Sequence, residues 1–216
     1  STGILMEGLK GTRVSHLAVK SAQRHQAEAG IVLDDCGDCH VHDILTQGFK
    51  KYGIWMRNNS FLCEINSCQS ADNARANFYL DHLRGGGRGG DFVPNMINDC
   101  ISYGGKYGFE LNGAIVVNLT GCAVFQSLDH GYYIHSTSNS VNISGSRTFQ
   151  VGDHGVFVDN SHEVNVSSNI FCWQRGHGIV LDNAKWGSVS SNNFIDNGVR
   201  TRDGSYRNGV VLTNKT

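Results

Sequence analysis

The sequence predicts an all-β chain wound into a single-stranded parallel β-helix of about eight to nine coils, each 23–24 residues long. Three observations carry this. Residues 117–186 hold three copies of one pattern: VNLTGCAVFQSLDHGYYIHSTSNS from Val117, VNISGSRTFQVGDHGVFVDNSHE from Val141 and VNVSSNIFCWQRGHGIVLDNAKW from Val164. A Gly-x-x-aliphatic signature recurs at Gly3, Gly30, Gly53, Gly108, Gly131, Gly155, Gly178 and Gly209, with Asn77 once in the Gly place. The runs after those glycines (GIVLD, GIWMR, GYYIH, GVFVD) alternate with period two, and no long window keeps the helical i, i+3, i+4, i+7 pattern.

The alternation assigns the faces of these strands. One inward column is Ile4, Ile31, Ile54, Phe78, Phe109, Tyr132, Val156, Ile179 and Val210; a second is Met6, Leu33, Met56, Leu80, Leu111, Ile134, Val158, Leu181 and Leu212. Both are apolar at every coil.

Residues 1–216 read as one solenoid domain, taken in order as follows. Residues 1–30 are a first coil with a widened turn, KSAQRHQAEAG, long enough for a short helix. Residues 31–76 are two compact coils, and residues 77–107 carry a Gly-rich insertion, LRGGGRGGDFVP (83–94). Residues 108–186 are the regular heart, and residues 187–216 carry a second insertion, VRTRDGSYRN (199–208). A β-helix needs caps over its open strand edges. No capping pattern stands at either end, so the expectation is a portion of a longer chain or ends covered by neighbouring protein.

Net charge is −1 with 17% charged residues, which offers neither a basic stripe for nucleic acid nor a polybasic membrane patch. No run of eighteen apolar residues occurs. The seven cysteines do not make a zinc site: Cys36 and Cys39 have no matching second pair, although His40 and His42 follow. Cys68, Cys100 and Cys122 share one repeat position, continued by Ser146, Asn169 and Asn192, and read as a packed internal column. The sequons at Asn118, Asn142 and Asn165 also share a repeat position and read as a polar ladder rather than glycan acceptors.

Chemistry concentrates just before the repeating Gly, at Asp129-His130, Asp153-His154 and Gly176-His177. Winding stacks these residues at about 4.8 Å per coil. The outward columns of the strand that follows hold Trp55, Tyr79, Glu110, Tyr133 and Phe157, and beside them Asp81, His135, Asp159 and Asp182. Aromatic faces stack on sugars, and paired carboxylates supply acid and base for glycosidic cleavage. The catalytic candidates are therefore Asp129, His130, Asp153, His154 and His177; the other nine are substrate-binding candidates. The alternatives are ordinary turn residues or a metal site for the His/Asp column, and an oligomer interface, such as a homotrimer's, for the outward aromatics. No resident metal or cofactor is expected. The expected partner is a polysaccharide or oligosaccharide, with neither nucleic acid nor membrane, in an extracellular or periplasmic setting.

With its nine apolar-columned coils, the chain resembles the right-handed parallel β-helix proteins of the pectate-lyase-like superfamily over nearly its whole length. That resemblance implies right-handed winding and a carbohydrate-related activity. Within the superfamily, Gly176-His177-Gly178 is similar to the Gly-His-Gly of polygalacturonases. Asp153-His154 stands where they have Asp-Asp, and Leu128-Asp129-His130 stands where they have Asn-Thr-Asp, with His130 replacing the acid. The resemblance implies an acid or base role for Asp153 and substrate positioning for His177. It leaves open a glycoside hydrolase, a polysaccharide lyase with an arginine clamp drawn from Arg175, Arg200, Arg202 or Arg207, a fructotransferase, and a non-catalytic tailspike or adhesin.

Overall fold

The computed structural model describes residues 1–23, 25–83, 93–198 and 209–214. Most of the first expected insertion and all of the second, with Arg200, Arg202 and Arg207, lie outside the described residues. The described residues contain strands and turns, and no helix. The widened turn after Lys20 is a bend that runs through a left-handed residue, His25, rather than a short helix.

One wall of the solenoid is a nine-stranded parallel sheet. It stacks Thr2–Glu7, Ala29–Asp34, Tyr52–Arg57, Ala76–Asp81, Tyr107–Asn112, Tyr132–His135, Val156–Asp159, Ile179–Asp182 and Val210–Thr213 in chain order. The register pairs Ile4 with Ile31, Ile54 and Phe78, and onward through Phe109, Tyr132, Val156 and Ile179 to Val210. The column from Met6 to Leu212 is in register too, so both expected files exist. Inside, Phe78 stacks on Phe109 at 4.6 Å and Phe109 on Tyr132 at 5.0 Å. Each such fully buried side chain contributes about 1.5–3 kcal/mol.

The other two walls form one continuous fourteen-stranded sheet. His40–Gln47 crosses the corner between them: its first half pairs with Glu64–Asn66 and its second with Gln69–Ala71. Onward, the second wall runs through Asn95–Asn98, Ile115–Thr120, Asn139–Ser144 and His162–Ser167, and the third through Ile101–Tyr103, Ala123–Phe125, Arg147–Phe149 and Ile170–Cys172. Each coil turns this corner through one left-handed residue: His16, Asp43, Ser67, Asp99, Gly121, Gly145, Ser168 and Ser191. The next residue points inward. Cys68, Cys100 and Cys122 are fully buried there, and the polar continuation satisfies backbone that would otherwise be orphaned. The Cys122 N–H donates to Ser146 Oγ (3.1 Å), Ser146 N–H to Asn169 Oδ1 (2.8 Å) and Asn169 N–H to Asn192 Oδ1 (2.9 Å).

Cys36 and Cys39 are also fully buried, whereas His40 bonds to Glu64 and Asp38 on the outer surface, so the thiols and this imidazole face opposite sides of the wall. Outside, Asn165 donates to Asn142 and Asn142 to Asn118, both at 2.9 Å, which makes the sequon asparagines an amide ladder.

Candidate functional site

The register brings the histidines before the repeating Gly into one file. His130 stacks on His154 at 5.2 Å with rings 5° apart, and His154 on His177 at 5.3 Å. Tyr107 continues the file below His130, while Tyr133 and Phe157 lean against it. The His177 N–H donates to His154 Nδ1 at 3.0 Å, and the His154 N–H lies 3.4 Å from His130 Nδ1. The same His154 Nδ1 lies 3.2 Å from Asp153 Oδ1. Burial pushes the His130 imidazolium down, to about 4, against the pull of Asp129. His130 is therefore neutral at pH 7.

Two carboxylates flank this file. Asp129 Oδ1 lies 3.5 Å from His130 Nε2, and Asp153 Oδ2 lies 3.9 Å from His130 Nδ1. One ligating atom from each of Asp129, His130 and Asp153 falls within 4.8 Å of the others. The third position of the carboxylate column is Gly176. A Cβ there would overlap the Asp153 carboxylate and the His154 ring, so the Gly of Gly176-His177 is a requirement of the two residues below it.

The outer face of the first wall is packed rather than open. Tyr52 and Tyr79 stack at 4.2 Å with Trp55 beside them, and Tyr79 is only 4% exposed. Glu110, an expected sugar-binding group, is fully buried and held by Arg75 through two bonds of 2.9 and 2.6 Å, with His135 Nε2 at 3.3 Å. Burial acts to raise the Glu110 carboxyl, but the hydrogen bonds from His135 and Arg75 outweigh it and hold the acid below its ordinary range. Asp81 is tied to Asn112 and His82, and Asp182 accepts from Thr213. Asp159 pairs in register with Asp182. Tyr133 and Phe157, stacked at 5.6 Å, remain half-buried beside the histidine file.

A concavity lies one corner away, where the third wall turns toward Asp129 and Asp153. It encloses about 590 Å³ and is lined by Gln126, Ser127, Leu128, Gln150, Gly152, Trp173, Gln174 and Arg175. Leu128 and Gly152 immediately precede Asp129 and Asp153. Gln126, Gln150 and Trp173 each occupy the left-handed corner position, at φ 54°, 54° and 59°, which projects their side chains outward. Bulky residues rarely adopt this conformation. Tyr103 Oη donates to Gln126 at 2.7 Å, and Gln126 donates to Gln150 at 3.2 Å, giving a polar ladder along the groove. Phe125, Phe149 and Trp173 form an aromatic stripe beside it, with Phe149 and Trp173 at 4.9 Å and Trp173 45% exposed. The repeated Phe-Gln at 125–126 and 149–150 was the available signal, one period apart in the sequence. It lies at the corner, outside the strand that follows each Gly.

Winding, register and walls define this chain as a right-handed parallel β-helix protein. It belongs to the family described as "Periplasmic copper-binding protein (NosD)", whose family model matches residues 87–214. No curated protein matches it. Among solved structures it is similar to the enzymatically active domain of tailspike protein 2 of bacteriophage CBA120, at TM-score 0.71 and 12% identity, over 94% of this chain and 34% of that one. It is similar to the periplasmic alginate epimerase AlgG at TM-score 0.64 and 16% identity, over 100% of this chain and 48% of that one. It is also similar to PfbA, a surface adhesin of Streptococcus pneumoniae, at TM-score 0.60 and 8% identity, over 90% of this chain and 62% of that one. The chain thus spans between a third and two thirds of the proteins it resembles, and at these identities the likeness is one of fold.

Proposed function

We propose that this chain is a carbohydrate-active β-helix that acts on an extracellular or periplasmic polysaccharide as a glycoside hydrolase or lyase. The observation that carries the reading is the groove at the third-wall corner. It combines an exposed indole, an amide ladder and Arg175, and its wall leads into Asp129 and Asp153. Indole and phenyl faces take sugar C–H surfaces, and amides exchange hydrogen bonds with hydroxyls. Arg175 suits an acidic sugar, whose carboxylate it can grip through two parallel bonds.

Asp129 and Asp153 are the acid–base pair in this reading. In hydrolysis one carboxyl gives its proton to the departing glycosidic oxygen while the other attacks the anomeric carbon or deprotonates water. In a lyase one carboxylate removes the proton α to a uronate carboxylate that Arg175 neutralises, the bond to the β glycosidic oxygen breaks as the double bond forms, and the other carboxyl gives its proton to the departing oxygen. His130, neutral and stacked, and His154, with Nδ1 engaged, position the two carboxylates; His177, at the end of the file, contacts substrate. Tyr133 and Phe157 extend the sugar platform. Trp55, Tyr79 and Glu110, together with Asp81, His135, Asp159 and Asp182, hold the first wall's outer face rigid.

The parallel β-helix neighbours support the reading: they include an enzymatically active tailspike domain, an alginate epimerase and a surface adhesin. The adhesin also represents the second reading, glycan binding without cleavage. Incubating the protein with a polysaccharide panel and weighing released oligosaccharides separates the readings, since lyase products are lighter than hydrolase products by one water. Asp153→Asn and His177→Ala are expected to lower product formation at least a hundredfold. Unchanged turnover in both removes these roles, and binding with no product establishes the adhesin-like reading.

The family description names copper, and the Asp–His corner does not fit it. His130 presents its two nitrogens to different carboxylates and is packed among aromatic rings, and the Nδ1 of His154, 3.2 Å from Asp153, already accepts the His177 N–H. Copper favours several imidazoles or soft sulfur ligands. Within the matched stretch, the thiols of Cys100 and Cys122 point into the core.

A further inference from the structure

A second group of metal-ligating side chains lies on the opposite corner, on the first two coils and outside the stretch that the family model matches. His16 Nε2 stands 3.4 Å from Asp43 Oδ2, and His42 Nδ1 stands 3.2 Å from the same oxygen. One ligating atom of each residue lies within 4.8 Å of the other two. We infer that His16, His42 and Asp43 form a surface site for a divalent first-row transition-metal ion, bound through two imidazole nitrogens and one carboxylate oxygen.

The spacing supports this. Nitrogen and oxygen ligands at about 2.0–2.2 Å from an ion stand about 3.3 Å apart around a tetrahedral centre and about 4.1 Å apart when opposite one another. The two separations from Asp43 Oδ2, 3.4 and 3.2 Å, already match the tetrahedral spacing, and the two imidazole nitrogens lie within 4.8 Å of each other on side chains that are free to close on an ion. The donor set is a known preference: two imidazoles and one carboxylate take Cu(II), Zn(II), Ni(II) or Fe(II), with Cu(II) the tightest.

The coil geometry builds the group. His16 and Asp43 occupy the left-handed corner position of adjacent coils, at φ 56° and 54°. The same position holds Ser67, Asp99, Gly121, Gly145, Ser168 and Ser191 further along. His42 is in register with Ser15 and Asn66. An imidazole at the corner therefore meets an imidazole and a carboxylate from the next coil here. The rings of His16 and His42 meet edge to face at 5.6 Å, which leaves both nitrogens directed toward Asp43. A concavity of about 330 Å³ bordered by Arg13, His40, His42, Asp43 and Glu64 adjoins the group and leaves space for water or a further ligand. His40, bonded to Glu64 at 3.2 Å and near Asp38 at 3.4 Å, is the adjacent imidazole in the same outer row.

Without an ion, the same geometry is a carboxylate oxygen accepting two imidazole N–H groups, and the experiment separates the two cases. The metal-free protein is titrated with Cu(II) and with Zn(II) by calorimetry, and the Cu(II) complex is measured by electron paramagnetic resonance. One ion per chain with coupling to two imidazole nitrogens is expected. His16→Asn and Asp43→Asn keep a residue that tolerates the left-handed backbone, so the fold is retained, as circular dichroism should confirm. Each is expected to weaken binding at least tenfold, and His16→Asn to leave coupling to one nitrogen. His82→Ala, which removes an imidazole paired with a single carboxylate, is expected to bind as the parent does. No saturable binding, or equal affinity in His16→Asn and the parent, overturns the site.

Discussion

At the scale of single residues, neutral imidazole and pinned carboxylate set how this protein responds to acid. His130 has a folded value of about 4 against 6.5 for an ordinary histidine. Folding thus favours the neutral ring, and that preference is intact above pH 6.5 and lost as pH falls toward 4, roughly 3 kcal/mol in all. Glu110 acts in the same sense: its lowered carboxyl stabilises the fold above the ordinary glutamate range and stops doing so as pH drops through its folded value. Urea midpoints between pH 7 and 4 should therefore decline steeply in the parent and less steeply in His130→Gln; parallel curves would contradict the assignment. Arg75→Ala leaves Glu110 buried with His135 alone. It is expected to cost about 2–4 kcal/mol, less than a fully buried pair because the Arg75 side chain is half exposed. A loss below 0.5 kcal/mol would mean that water reaches Glu110. Gln150→Gly is the opposite case. It relieves a left-handed glutamine and should raise stability by about 0.5–1 kcal/mol while weakening glycan binding.

At the scale of elements, close stacking dictates which residues are tolerated. A Cβ on Gly131 would meet the Gly155 carbonyl oxygen at 2.6 Å and Thr148 Cγ2 at 2.7 Å, so Gly131→Ala pushes two coils apart. Thermal unfolding of that variant should show about 1–3 kcal/mol of destabilisation. These glycines were visible in the sequence because the repeat preserves them, and so were both apolar columns from Ile4 and Met6 and the internal file from Cys68 to Asn192. The histidine file was visible for the same reason, since a period of 23–24 residues translates directly into stacking. Exposure was not visible. Period-two alternation tells which face Tyr79 and Glu110 occupy, but not that Tyr52 and Arg75 cover them from the neighbouring coil. The groove escaped for a related reason: Gln126, Gln150 and Trp173 sit at corners, where the backbone leaves the strand conformation and alternation carries no information.

At the scale of the molecule, the lumen is filled by buried side chains, thiols among them. Cys36, Cys39, Cys63, Cys68, Cys100 and Cys122 are buried free thiols, and Cys172 is the partly exposed one. A maleimide offered to the native protein should modify Cys172 alone, with all seven reacting after unfolding; fast labelling of Cys68 or Cys100 would mean that the coils separate in solution.

In the proposed function the sugar chain lies along the third-wall corner rather than the first wall. The most direct measurement is affinity electrophoresis through gels containing acidic and neutral polysaccharides, comparing the parent with Trp173→Ala and with Phe157→Ala. Retardation by an acidic polysaccharide that falls at least tenfold in Trp173→Ala, and less in Phe157→Ala, is the expected result. Retardation that survives Trp173→Ala and disappears in Phe157→Ala would place the glycan on the first wall and contradict the groove.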